Sequence, residues 1–128
     1  MSYYFSKRVN GTFQPVVERV VAALKTEGFG VLSEIDVHSV MAQKLGVTMK
    51  PYKILGACNP PFAHKALELE NKAGLMLPCN VVVQELEDGV VEVAAIDPVA
   101  SMQAITNPSL GSVAAEVRAK LKAVVEGL

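Results

Sequence analysis

The chain has 128 residues, enough to bury a continuous core without a structural metal or a disulfide framework, and one domain spanning 1–128 is expected. Hydrophobic residues make up 51% and charged residues 20%, which excludes a disordered composition. Twelve basic and thirteen acidic side chains leave a net charge of -1, and with aromatics at 5% and no Trp the chain lacks both the field and the stacking rings of a nucleic-acid binder.

In chain order, Tyr3, Phe5, Lys7 and Val9 alternate on one face of a first strand. No secretion signal precedes it and apolar runs such as Val20–Leu24 fall far short of the roughly 20 residues that span a bilayer, so no membrane partner and a cytoplasmic location are expected. Asn10-Gly11-Thr12 supplies a turn and an N-cap, and Phe13, Val16, Val17, Val20, Val21 and Leu24 form the apolar stripe of a helix over about 12–27, with Gly28 as its exit. Phe29, Val31, Ser33 and Ile35 alternate as a second strand; Asp36 to Gly46 then reads as a short helix burying Val40, Met41 and Leu45.

Tyr52 to Ala57 is a third strand, in which Gly56 marks a close approach of a neighbour. Asn59-Pro60 starts a helix, the Asn side chain accepting a first-turn N–H and the proline occupying a position where its missing donor is not needed. The same device recurs at Asp97-Pro98 and Asn107-Pro108. The helix after Asn59 turns Phe62, Ala63, Ala66, Leu67 and Ala73 inward and runs to Gly74, and a strand begins at Cys79.

Asp88-Gly89 predicts a two-residue hairpin turn with positive φ. In that register Leu86 faces Val91, Gln84 faces Val93, Val82 faces Ala95 and Asn80 faces Asp97 on a mostly core face. Cys79, Val81, Val83, Ala94 and Ile96 fall on the other face, with Glu85 opposite Glu92 toward the turn. A last helix from Pro108 buries Leu110, Val113, Ala114, Val117, Leu121, Val124 and Leu128.

Chemistry concentrates at element ends. From Gly56 to His64, the thiol of Cys58 precedes a helix N-terminus and the His64 imidazole lies in the first turns. A helix N-terminus lowers a thiol pKa, but Pro60 and Pro61 remove two of the N–H groups that create its field. The same missing donors, and the absence of any GxGxxG or GxxxxGK run, speak against a phosphate cradle, and no cofactor is expected. Cys58, Cys79, His64 and His38 lack CxxC or HxxxH spacing, so no metal is expected either. His64 with Glu68 one turn on reads as a solvated pair, and the hairpin-tip carboxylates Glu85, Glu87, Asp88 and Glu92 as a solvated cluster. Asn80 and Asp97 join Asn59 as candidate site residues, or as fasteners of turns and caps.

Three stretches form a set: Tyr52-Lys53-Ile54-Leu55-Gly56-Ala57-Cys58-Asn59-Pro60, Leu77-Pro78-Cys79-Asn80-Val81-Val82-Val83, and Asp97-Pro98. The set resembles the prokaryotic family catalogued as domain of unknown function 302, over nearly the whole chain. The resemblance implies a two-layer α+β fold similar to the TATA-binding-protein-like group, with a curved, mainly antiparallel sheet carrying helices on one face. It also implies a homodimer and no established activity, and DNA binding does not follow from the fold.

The leading functional expectation is a small-molecule binding or accessory domain with a pocket near Cys58, Asn59, His64, Cys79, Asn80 and Asp97. One alternative is a thiol-dependent enzyme or redox protein using Cys58 or Cys79, oriented by His64; another is a structural subunit with no ligand. Whether the two cysteines meet depends on whether their strands run antiparallel.

Overall fold

The structure, a computed structural model, describes residues 2–128. The described strands form an antiparallel sheet in the order β1-β5-β4-β3-β2, made of β1 (Tyr4–Asn10), β2 (Gly30–Asp36), β3 (Tyr52–Cys58), β4 (Cys79–Glu87) and β5 (Val90–Ile96). The helices are α1 (Phe13–Thr26), α2 (Val37–Leu45), α3 (Pro60–Leu69), α4 (Pro98–Ser101) and α5 (Pro108–Glu126). The two-layer α+β arrangement is the one expected, and the sheet is open rather than closed into a barrel.

The long helices α1 and α5 form where the apolar spacing places them, and they lay that stripe on one face of the sheet. Val16, Val17, Val20 and Leu24 of α1 meet Val117, Leu121, Val124 and Val125 of α5 over Leu55, Val81, Val83, Val91 and Val93. Each such side chain taken from water contributes about 1.5–3 kcal/mol, so this layer is the main source of stability.

The hairpin departs from its expected register. Asp88 keeps a negative φ and only Gly89 turns positive (φ 79°), and β4 carries an extra residue at Leu86, between Glu85 opposite Val91 and Glu87 opposite Val90. Beyond that bulge Val83 faces Val93, Val81 faces Ala95 and Gln84 faces Glu92, whose carboxylate Oε1 accepts from Gln84 Nε2 at 3.3 Å. Cys79, Val81 and Val83 are therefore core, whereas Asn80, Val82 and Gln84 lie on the uncovered face, the reverse of the straight pairing.

A second bulge, at Leu32 in β2, breaks the alternation expected there. Val31 stands opposite Ala57 on the core side, but Ser33 and Ile35 stand opposite Gly56 and Ile54 on the other. Two helices also differ from expectation. In α2 no residue is buried and Leu45 is exposed, with Val40 and Met41 only half-buried; the helix is tied to β3 by Tyr52 N–H donating to His38 Nδ1 at 3.0 Å. The third helix ends at Leu69, and a separate tight helical turn, Ala73–Met76, carries the chain to β4.

Gly56 is required for packing. A Cβ there would lie 2.2 Å from Ser33 Oγ, which can rotate away, and 2.8 Å from Pro78 Cγ, which is fixed in a ring. Gly56→Ala is therefore expected to cost about 1–3 kcal/mol, seen as a lower urea midpoint at unchanged slope. Gly30→Ala is expected to leave the midpoint nearly unmoved, because an added Cβ there meets nothing within 4 Å.

Candidate functional site

The antiparallel pairing of β3 with β4 sets Ala57 opposite Cys79, so Cys58 and Cys79 come to the same end of the sheet. There α3, α4 and α5 arch over the strand ends and frame a half-open cavity of about 290 Å³. Its walls are Phe29, Phe62, Ala66, Leu77, Met102 and Val113, and both thiols and Asn59 open onto it. Leu32, pushed outward by its bulge and 70% exposed, and Leu67, 41% exposed, line its mouth.

Asn59 is 8% exposed, and its role differs from the expected cap. Its side chain makes no cap bond to α3; instead Nδ2 donates across 3.2 Å to the carbonyl of Glu27, at the end of α1. Gly28, at φ 85°, leaves room for this contact, since a Cβ there would stand 3.2 Å from Nδ2. The bond ties the exit of α1 to the entry of α3 and fixes one wall of the cavity.

Two other prolines follow residues that do cap. Asp97 accepts from Val99 N–H at 2.9 Å and, buried, also accepts from Arg118 Nε at 3.0 Å. Arg118 in turn lies over the Phe5 ring, 5.0 Å from its centroid. Asn107 accepts from Ser109 and Leu110 N–H and donates to the carbonyl of Leu69, closing the C-terminus of α3 as it opens α5.

Of the six candidate residues, the fold brings together Cys58, Asn59 and Cys79. Asp97 is occupied by its cap and by Arg118 and does not line the cavity. Asn80 is not opposite Asp97; the bulge turns it to the uncovered face, beside a shallow depression with Tyr4, Tyr52 and Gln84. The His64 side chain, 78% exposed, pairs with Glu68 at 3.4 Å and does not reach Cys58 or Cys79 as an orienting base would have to. His38 sits beside Tyr52, at the other end of β3 from Cys58 and roughly 20 Å along the strand. Among the described residues no three His, Cys, Asp or Glu side chains are arranged to hold a metal.

Sequence reasoning missed the apolar walls. Phe29 and Val113 read as ordinary strand and helix positions, Met102 carries no signal in the sequence, and nothing in their spacing distinguishes a residue facing a cavity from one facing a neighbour.

Burial holds both thiols protonated. It raises the Cys58 pKa, and it pushes Cys79 up to about 11, with repulsion from a Cys58 thiolate adding to the effect. At neutral pH the cavity therefore carries no charge on its sulfurs.

A family model described as domain of unknown function DUF302 matches residues 5–128. Among solved structures, the chain is similar to the crystal structure of an uncharacterized conserved DUF302 protein from Bacillus stearothermophilus, with 29% identity over 98% of each chain and a TM-score of 0.90. No curated protein matches. No helix among the described residues is long and apolar enough to cross a membrane.

The thiol environment makes a pH-dependent prediction. In the folded protein, iodoacetamide labelling of Cys79 is expected to be slow at neutral pH and to rise only as the pH approaches 11, while the urea-unfolded chain labels as an ordinary thiol near 9.0. The raised folded-state pKa also stabilises the fold below 9.0, and that contribution is lost as the pH climbs to about 11. Fast neutral-pH labelling of folded Cys79 would contradict this environment.

Proposed function

The chain belongs to the DUF302 family, and from that premise we propose that it is a small-molecule binding domain whose ligand occupies the cavity between α3, α5 and the Cys58–Cys79 end of the sheet. The observation that carries this reading is a half-open, apolar-lined cavity of about 290 Å³ into which two thiols and one amide residue are set. An engineered apolar cavity of about 150 Å³ already takes up benzene, so a space of this size suits a bicyclic or short-chain molecule. The protonated thiols and the distance of His64 favour binding over thiol catalysis. Two free thiols suit a reducing compartment such as the cytoplasm of a prokaryotic cell.

The uncharged fluorophore N-phenylnaphthylamine is the direct probe. Its emission is expected to rise and shift to the blue on mixing with the protein, and Ala63→Phe, which fills the cavity from α3, is expected to abolish the change at unaltered folding. An unchanged emission with the wild-type protein, or binding undiminished in the variant, would end this reading.

The uncovered face of the sheet supports a second reading, the homodimer that the family resemblance implies. Its apolar residues are Val82, Ala94 and Ile96 with exposed Tyr4 and Ile35, in place of the Val81 and Val83 expected from sequence, which are core. Light scattering at micromolar concentration is expected to return twice the chain mass, and Val82→Arg to return the single chain. A wild-type monomer would remove the dimer.

A further inference from the structure

Among the described residues only one polar side chain other than the thiols lines the cavity, and half of its hydrogen-bonding capacity is unspent. Asn59 has a carbonyl acceptor and an NH₂ donor. Because the group facing it at 3.2 Å is the Glu27 carbonyl, an acceptor, the nitrogen must be the atom on that side. The remaining Oδ1 accepts no cap N–H and has no donor partner among the described residues. Asn107 is the internal comparison: in the same Asn-Pro setting its Nδ2 closes α3 while its Oδ1 caps α5, so both ends are used. Asn59 keeps its acceptor free, and because every fully buried side-chain oxygen among the described residues has a partner, this Oδ1 remains open to solvent although the residue as a whole is more than nine-tenths buried.

Among the described residues no charged side chain lines the cavity, which leaves a carboxylate or phosphate without a counter-charge there. The start of α3 does not compensate, because Pro60 and Pro61 have no N–H to offer an anion. Leu32 and Leu67 in the lining are exposed whereas Asn59 is buried, so the lining combines an exposed apolar rim with one buried amide residue.

We propose that the ligand is an uncharged, mainly apolar molecule bearing one hydrogen-bond donor, a hydroxyl or N–H, which enters polar end first and donates to Asn59 Oδ1 while its apolar body lies between Phe62 and Met102. This assignment rests on the reading of the cavity as a binding site and narrows it to neutral alcohols, phenols and their N–H analogues.

Four compounds of nearly one shape separate the outcomes: naphthalene, naphthol, methoxynaphthalene and naphthoate, each measured by displacement of N-phenylnaphthylamine and by calorimetry. Naphthol is expected to bind about fivefold tighter than naphthalene, the usual net worth of one neutral hydrogen bond. Methoxynaphthalene, which cannot donate, should bind no tighter than naphthalene, and naphthoate more weakly than either. In Asn59→Leu the naphthol preference should vanish while naphthalene binds as before. If that variant does not fold, the comparison of naphthol with methoxynaphthalene on the wild-type protein decides alone.

Equal binding of naphthol and methoxynaphthalene, or tightest binding by naphthoate, would overturn the donor assignment and leave the binding reading intact. Failure of all four compounds and of the fluorophore to bind would overturn both.

Discussion

The register of β4 against β5 is the constraint on which the remaining structure depends. Because side chains alternate along a strand, the one extra residue at Leu86 decides the face of every position before it in β4. With the bulge, Val81 and Val83 meet Val93 and Ala95 under α1 and α5, and Cys79 falls on the covered side with the cavity. Without it, Asn80 and Gln84 would be turned into an apolar layer with no partners, at a cost of a few kcal/mol for each unpaired group. The hydrophobic core and the placement of the candidate site are thus consequences of one pairing. The bulge at Leu32 plays the corresponding part in β2, where it sends an apolar side chain outward to the cavity mouth.

The polar residues near the strand ends divide by what they hold together. Asp97 joins the start of α4 to Arg118 of α5, and through the Arg118 guanidinium to the Phe5 ring on β1. Asn107 joins the end of α3 to the start of α5, and Asn59 joins the end of α1 to the start of α3. These three side chains fix the helices that arch over the cavity. Of the three, Asn59 alone retains an acceptor that no described neighbour uses, which is why the proposed ligand contact is made to it rather than to the more conspicuous thiols. The sulfurs contribute size and polarisability to the lining but not charge, because burial keeps both protonated.

Much of the fold was legible in the sequence because long periodic segments carry redundant information. The stripes of α1 and α5, the Gly56 close approach and the order of the elements all follow from local pattern, and the structure has them. Two single-residue bulges were not legible, since Leu86 and Leu32 fit an alternating strand as well as their neighbours do. That missed residue in β4 moved Asn80 away from Asp97 and exchanged the core and open faces of β4, while Val91, Val93 and Ala95 of β5 lie on the core face expected of them. Asn59 was recognised as important but assigned the wrong bond, because a cap and a long-range tie to Glu27 call for the same residue type. Asp97 and His64 were grouped with the site by their position at element ends, where structural and functional polar residues look alike. The cavity itself was invisible, being a property of how α3, α4 and α5 meet rather than of any motif.

Crystals of the protein soaked with bromonaphthol offer the most direct test, since bromine is located by its anomalous scattering independently of any prior view of the site. The predicted result is a single bromine peak inside the cavity between α3 and α5, with the naphthol hydroxyl within hydrogen-bond distance of Asn59 Oδ1. Bromine found on the uncovered sheet face near Tyr4 and Tyr52, or a cavity left empty while ligand binds elsewhere, would contradict the account.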